Sequence, residues 1–113
     1  MKYIIAVIQP DRLNEVLQEL YKRDVHLVTV TQVMGHGRQK GQAQVYRGHK
    51  EVGLLLRKVK LEIAVNDEYL QLTLEAIAMG ARTEQIGDGK VFVLELQDVM
   101  RIRTGETGGM AIG

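Results

Sequence analysis

The sequence predicts one α+β domain in which two βαβ halves share a single four-stranded antiparallel sheet. Three observations lead there. Apolar, β-rich runs alternate with two helical stretches in the order β-α-β-β-α-β. The length, 113 residues, fits one domain. No low-complexity tract or interdomain linker divides residues 1–113.

Taken in order, "KYIIAVIQ" (2–9) is apolar and β-rich and predicts the first strand. Pro10 and Asp11 then open a helix, where the missing proline N–H costs little. Leu13, Val16, Leu17 and Leu20 share one helical face. "HLVTVTQVMG" (26–35) predicts strand two, and a long polar segment (36–57) follows. "KVKLEIAVN" (58–66) alternates as strand three. Asp67 is placed to cap a second helix carrying Leu70, Leu74 and Ile77 on one face and ending near Gly80. "KVFVLEL" (90–96) is strand four, and a tail of about 98–113 completes the chain. This order is the split βαβ, or ferredoxin-like, pattern, with both helices on one face of the sheet.

Two helices cover only one face of four strands. Yet strand one is apolar on both: Tyr3, Ile5 and Val7 on one side, Ile4, Ala6 and Ile8 on the other. Strand four likewise mixes Val91 and Val93 with Phe92, Leu94 and Leu96. A sheet with one wet face alternates cleanly. The second face is therefore expected to be buried against another subunit. Residues 36–50 are too polar to cover it.

Composition excludes several classes. There is no cysteine, so neither a disulfide framework nor a thiolate metal site exists. Fifteen basic and fourteen acidic residues give a net charge of +1, which does not mark a nucleic-acid or membrane surface. No apolar run reaches the roughly 20 residues of a spanning helix. The start "MKYIIAVIQPD" lacks a signal-peptide pattern. The expectation is a cytoplasmic protein.

Four features carry possible chemistry. Gly87-Asp88-Gly89-Lys90 is a turn signal; its glycines would let backbone N–H groups approach an anion, and the lysine adds a point charge. Read alone, the motif is weak, and a bare turn is its default reading. Arg101-Ile102-Arg103, if extended, puts both guanidiniums on one side, where they suit phosphate oxygens or merely a solvated edge. "GHGRQKG" (35–41) is a glycine-rich loop, since its glycine spacing is not that of a dinucleotide fingerprint. The 36–57 segment far exceeds a hairpin loop and carries Tyr46 beside Arg47, a pair suited to a partner contact. His26, His36 and His49 lack metal-ligand spacing, and no catalytic set is recognisable by spacing.

Together these pieces resemble the PII nitrogen-regulatory signal-transduction proteins. "GRQKG" (37–41), "YRG" (46–48), "KVKLEI" (58–63), "ART" (81–83), "IGDGKVFV" (86–93) and "RIRTGETG" (101–108) look like that family's sequence in order and spacing. The resemblance runs over nearly the whole chain. It implies a homotrimer that regulates rather than catalyses, with ATP or ADP bound between subunits.

By position, the resemblance implies that Gly87, Asp88, Gly89 and Lys90 hold phosphates. Arg101 and Arg103 would reach them, in the neighbouring subunit's site. Thr29, Glu62 and Ala64 fall at the base region. Gly35, Gly37, Arg38 and Gln39 fall beside the phosphates, at the root of a T-loop spanning about 37–55. The effector 2-oxoglutarate would bind there with Mg²⁺ and ATP, near Gln39, Lys40, Gly41, Lys58 and Gly87. In that arrangement Gln39 ligates the metal and Lys58 pairs with a carboxylate. Tyr46, Arg47 and Gly48 would meet partners, an ammonium channel or an enzyme of nitrogen metabolism among them.

The T-loop departs from the family's pattern. Its uridylylated tyrosine position is Glu51, which has no hydroxyl, and a position that is a phosphorylated serine in some members is His49. No modification is expected at Glu51. Leu54, Leu55 and Leu56 form an apolar run expected to pack partly at the loop base. Glu84 stands where the family usually has glycine. These departures keep open a divergent relative that senses adenylate state or another small effector and acts on a non-nitrogen transporter or enzyme. A histidine-based nucleotide kinase on the same fold is the enzyme alternative, and the absence of a histidine inside a strand-end motif of this chain counts against it. An RNA-binding domain of this fold lacks its strand aromatics, since the chain has one phenylalanine and four tyrosines.

Overall fold

The computed structural model describes residues 1–36 and 55–113, together with the backbone of 45–46 and 49–50. Its elements run β1 (Lys2–Ile8), α1 (Leu13–Lys22), β2 (Thr29–His36), β3 (Val45–Tyr46), β4 (His49–Lys50), β5 (Leu55–Val65), α2 (Leu70–Ala81) and β6 (Gly89–Glu95). One sheet has the strand order β2-β5-β1-β6, with every neighbouring pair antiparallel. This is the predicted ferredoxin-like architecture.

The register separates the two faces. Ile4 pairs with Ile63, Ala6 with Leu61 and Ile8 with Val59, and all six side chains are buried. Against them lie Val16 and Leu20 of α1 and Ala76 and Ile77 of α2, also buried. The predicted α1 stripe holds, with Leu13 and Leu17 packed at its margin.

On α2 the buried stripe is Thr73, Ala76, Ile77, Gly80 and Ala81, while Leu70 and Leu74 are half-buried. Small residues lie inward because the two helices nearly touch. A Cβ at Gly80 would stand 2.6 Å from the Val16 Cα. Arg12 ties the same place by donating from Nε to the Gly80 carbonyl at 2.9 Å.

Several predicted details change. Asp67 does not cap α2; it opens a 3-10 turn, Asp67–Tyr69, and no side chain caps it. Its carboxylate instead meets the Met1 amino group at 2.9 Å and Lys2 Nζ at 3.4 Å, because the end of β1 brings two cations beside it. Strand two begins at Thr29 rather than at 26, and His26 packs its ring against Tyr21, with centroids 4.6 Å apart. The segment read as one polar stretch contains a two-stranded ribbon, Val45–Tyr46 with His49–Lys50. Leu55 and Leu56 belong to β5, where alternation leaves Leu55 exposed and Leu56 half-buried. Leu54 lies outside the described residues.

The face away from the helices has two halves. Tyr3, Ile5 and Val7 of β1 lie beside Leu94, Phe92 and Lys90 of β6, an apolar half in which Phe92 is 50% exposed and Leu94 47%. On β5 and β2 the same face carries Lys58, Lys60, Glu62, Thr29 and Thr31. Exposed Phe92 and Leu94 are the physical content of the expectation that this face meets another subunit.

Gly80→Ala is expected to destabilise the protein by about 1–3 kcal/mol, since the new methyl meets backbone rather than a movable side chain. Urea unfolding checks this. The midpoint falls with an unchanged m-value; an unmoved midpoint contradicts the close helix contact.

Candidate functional site: a glycine turn and a second cluster on the open face

Helix α2 stops at Ala81, and Arg82 is already extended. The chain must then return to enter β6, and Asp88 organises that return. Its carboxylate accepts from the Thr83 N–H at 2.7 Å, the Glu84 N–H at 2.8 Å and the Thr83 hydroxyl. Burial pushes the Asp88 carboxyl up, but these hydrogen bonds from Thr83 and the 84–85 backbone outweigh it and hold the group below its ordinary value. Asp88 thus serves the loop with its side chain, while its backbone is the part left to the phosphate role that the resemblance implies.

The glycines are structural requirements. Gly87 has φ 103° and Gly89 φ 113°, both in the region that favours glycine. A Cβ at Gly89 would stand 1.9 Å from the Val7 carbonyl oxygen. Glu84 also has a positive φ, 66°, so the position that the resemblance marks as a usual glycine does ask for glycine's conformation.

Gly87, Gly89 and Lys90 line an open groove with Gly35 and His36 of β2, Lys58 of β5, and Val7 and Phe92. The Gly87 carbonyl accepts from Gln9 Nε2 at 2.7 Å and from Lys58 Nζ at 3.2 Å. Burial lowers the Lys58 pKa, and the nearby Asp88 charge partly restores it. A Cβ at Gly35 would meet Lys58 Cγ at 3.3 Å, so a small residue there leaves the lysine its place. The groove offers a charged lysine at each side of a glycine turn, a setting for an anion.

Thr29, Glu62 and Ala64 form a second cluster. Thr29 pairs with Glu62 across β2 and β5, and both line a shallow groove with Ala64, Val99 and Ile112. The Tyr3 hydroxyl donates to Glu62, and Lys60 Nζ lies 3.7 Å from the same carboxylate. The bond to Glu62, with burial second, raises the Tyr3 pKa.

The arginine pair behaves differently from its sequence reading. Residues 102–104 form a turn, closed by Gly105 N–H donating to the Arg101 carbonyl at 2.8 Å, so Arg101 and Arg103 are not on an extended strand. Gly105, at φ 76°, allows that reversal. Arg101 gathers the tail, donating to Glu106 at 3.0 Å and to the Gly113 carbonyl at 2.6 Å. Arg103 is exposed.

The structure therefore brings Gly35, Lys58, Gly87, Gly89 and Lys90 together, and Thr29, Glu62 and Ala64 together, but in different places. Lys58 and Ala64 are six residues apart on β5, roughly 20 Å along an extended strand. Lys90 stands in the first turn-side residues of β6, and Arg101 lies beyond its opposite end. Gly37, Arg38, Gln39, Lys40, Gly41, Arg47, Gly48 and Glu51 lie outside the described residues, and of Tyr46 only its place in β3 is given. Among the described residues no group of acidic or histidine side chains could hold a metal by itself. Gln9 was missed by sequence reasoning. Its only signal was its place between β1 and Pro10.

The antiparallel sheet order and the two helices define an α+β domain of the ferredoxin-like type. The family described as "Nitrogen regulatory protein P-II" matches residues 1–106. The chain is 52% identical over 114 residues to "Nitrogen regulatory protein GlnK1" of Methanosarcina mazei, covering 99% of this chain and 97% of that protein. It is 46% identical over 112 residues to "Nitrogen regulatory protein P-II" of Azospirillum brasilense, covering 99% of this chain and all of that protein. The chain belongs to the PII family of nitrogen-regulatory signal-transduction proteins.

Asp88→Ala is expected to cost about 1–2 kcal/mol near neutral pH, as loss of a capping carboxylate does. The folded pKa lies below the unfolded value, so the contribution is present above the latter, about 3.9, and is lost as pH falls through the former. Denaturation of parent and variant across pH checks the sign: the gap closes on acidification. A gap independent of pH contradicts the role given to the carboxylate.

Proposed function

We propose that the protein is a regulator, not an enzyme, that binds ATP or ADP and 2-oxoglutarate between the subunits of a homotrimer and signals through its T-loop. The observation that carries this is the separation of the two clusters. A nucleotide whose phosphates lie on Gly87, Gly89 and Lys90 cannot reach the far ends of β5 and β6 in the same chain. Two copies meeting through the apolar half of the open face would bring one chain's glycine turn to another's Thr29, Glu62, Ala64 and Arg103.

The chemistry fits such a ligand. Lysines 58 and 90 supply charge, and backbone donors at the glycines supply approach. Arg101 would leave its tail contacts to reach a phosphate, whereas Arg103 starts exposed. Mg²⁺ would arrive with the phosphates, neutralising their charge, and Gln39 is the side chain assigned to it. Lys58, partly desolvated and beside Gly87, suits the carboxylate of 2-oxoglutarate. Gly35, Gly37, Arg38, Lys40 and Gly41 would join the ligand from the loop root.

A ligand shifts the T-loop only as far as its affinities for two loop states differ. Tyr46, Arg47 and Gly48 would then meet an ammonium channel or a cytoplasmic enzyme of nitrogen metabolism. The residues present at Glu51 and His49 favour control by ligands alone.

Calorimetric titration of ATP with Mg²⁺, with and without 2-oxoglutarate, tests the reading. Reciprocal tightening is expected. Nucleotide binding without that response favours the sensor of adenylate state or of another effector; no nucleotide binding overturns both. Lys90→Ala and Arg103→Ala are each expected to weaken ATP by about 1.5–3 kcal/mol, tenfold or more, without unfolding the protein. Unchanged affinity in both contradicts the site.

A further inference from the structure

Gln9 is fixed in place from three directions. Pro10 restricts the residue before it to extended backbone, and Gln9 has φ −67° and ψ 138°. Ile8 is buried under the helices, so strand alternation puts Gln9 on the open face. Ile8 pairs with Gly89, so the next step along β1 stands against the 87–88 turn. There Gln9 Nε2 donates to the Gly87 carbonyl at 2.7 Å, and Lys58 Nζ reaches the same oxygen at 3.2 Å from β5.

That carbonyl belongs to the Gly87–Asp88 peptide, which is trans. In a planar trans peptide the N–H points opposite to the C=O. Holding the carbonyl toward Gln9 and Lys58 therefore aims the Asp88 N–H the other way. Glycine at 87 has no Cβ to resist rotation of this peptide, so the backbone alone does not fix its direction. Donors to the carbonyl also polarise the amide and strengthen its N–H.

We propose that Gln9 is a positioning residue for the anion site: its amide clamps the Gly87 carbonyl and so preorganises the Asp88 N–H to bind a phosphate of the nucleotide. Gln9 acts through the turn and needs no contact with the ligand. The inference rests on the nucleotide reading above. It divides the work at Gly87 between a neutral side chain and a charged one. Gln9 keeps the turn oriented when Lys58 is drawn to a second ligand's carboxylate.

The test is Gln9→Met, which keeps length and removes the donor, with Gln9→Asn, polar but too short to reach, as the second variant. The full-length proteins are compared by amide spectra without ligand, by Mg-ATP titration and by thermal melting. The Asp88 amide proton is expected to move upfield in both, and ATP affinity to fall about tenfold. The melting midpoint should drop by less than about 5 °C, because Lys58 still serves the carbonyl. An Asp88 amide that does not move overturns the clamp, whatever the protein binds. A moved amide with unchanged ATP affinity overturns its part in the anion site. Failure of the parent to bind ATP overturns the nucleotide reading itself, and is seen before either variant is compared.

Discussion

The pairing of β1 with β5 and β6 is the constraint on which the rest depends. In this register Ile4, Ala6 and Ile8 meet Ile63, Leu61 and Val59 under the helices. A slip of one residue would turn that set outward and bring Tyr3, Ile5 and Val7 in. The same register carries the site. It seats Gly89 against Val7 so closely that no side chain fits, and it ends where Gln9 reaches Gly87. It also leaves Phe92 and Leu94 in the open beside Ile5 and Tyr3. Core, glycine turn and candidate interface are three consequences of one alignment.

On the proposed reading, the glycine turn would work by orienting backbone as much as by charge. Asp88 brings a carboxylate near Lys58, which looks adverse to the proposed anion site until its hydrogen-bond partners are considered. Thr83 and the Glu84 N–H absorb it, and the turn is held in shape by the result. Glu84 occupies a left-handed position without glycine's freedom, a local strain at the rim of the same turn. Lys58 is shared between burial, the Asp88 charge and the Gly87 carbonyl, so a ligand that claims it alters the turn directly. This is a physical route by which one ligand could change the affinity for another.

Much of this was legible in the residues. Periodicity gave α1 and the buried face of β1, because apolar spacing reports burial directly. The double apolar character of β1 and β6 gave the open face for the same reason. Gly87 and Gly89 declared a turn. What could not be read depended on partners distant in sequence. Asp67 looked like a cap, but Lys2 and the Met1 amino group stand nearer. Arg101 and Arg103 looked like an extended pair, but Gly105 turns the chain back and Glu106 takes Arg101. Gln9 carried no pattern at all, since a lone glutamine gains meaning only from the carbonyl it meets.

The central claim is that each binding site is built from two chains, one giving its glycine turn and the other its far end. Co-expression of two differently tagged variants, Lys90→Ala and Arg103→Ala, followed by tandem purification and ATP titration, tests it most directly. Each variant alone lacks one half of every site. Mixed assemblies contain interfaces where an intact turn faces an intact far end, and these are predicted to recover ATP binding near the parent's affinity at a fraction of the sites. Mixed assemblies that bind no better than either variant alone would contradict the account.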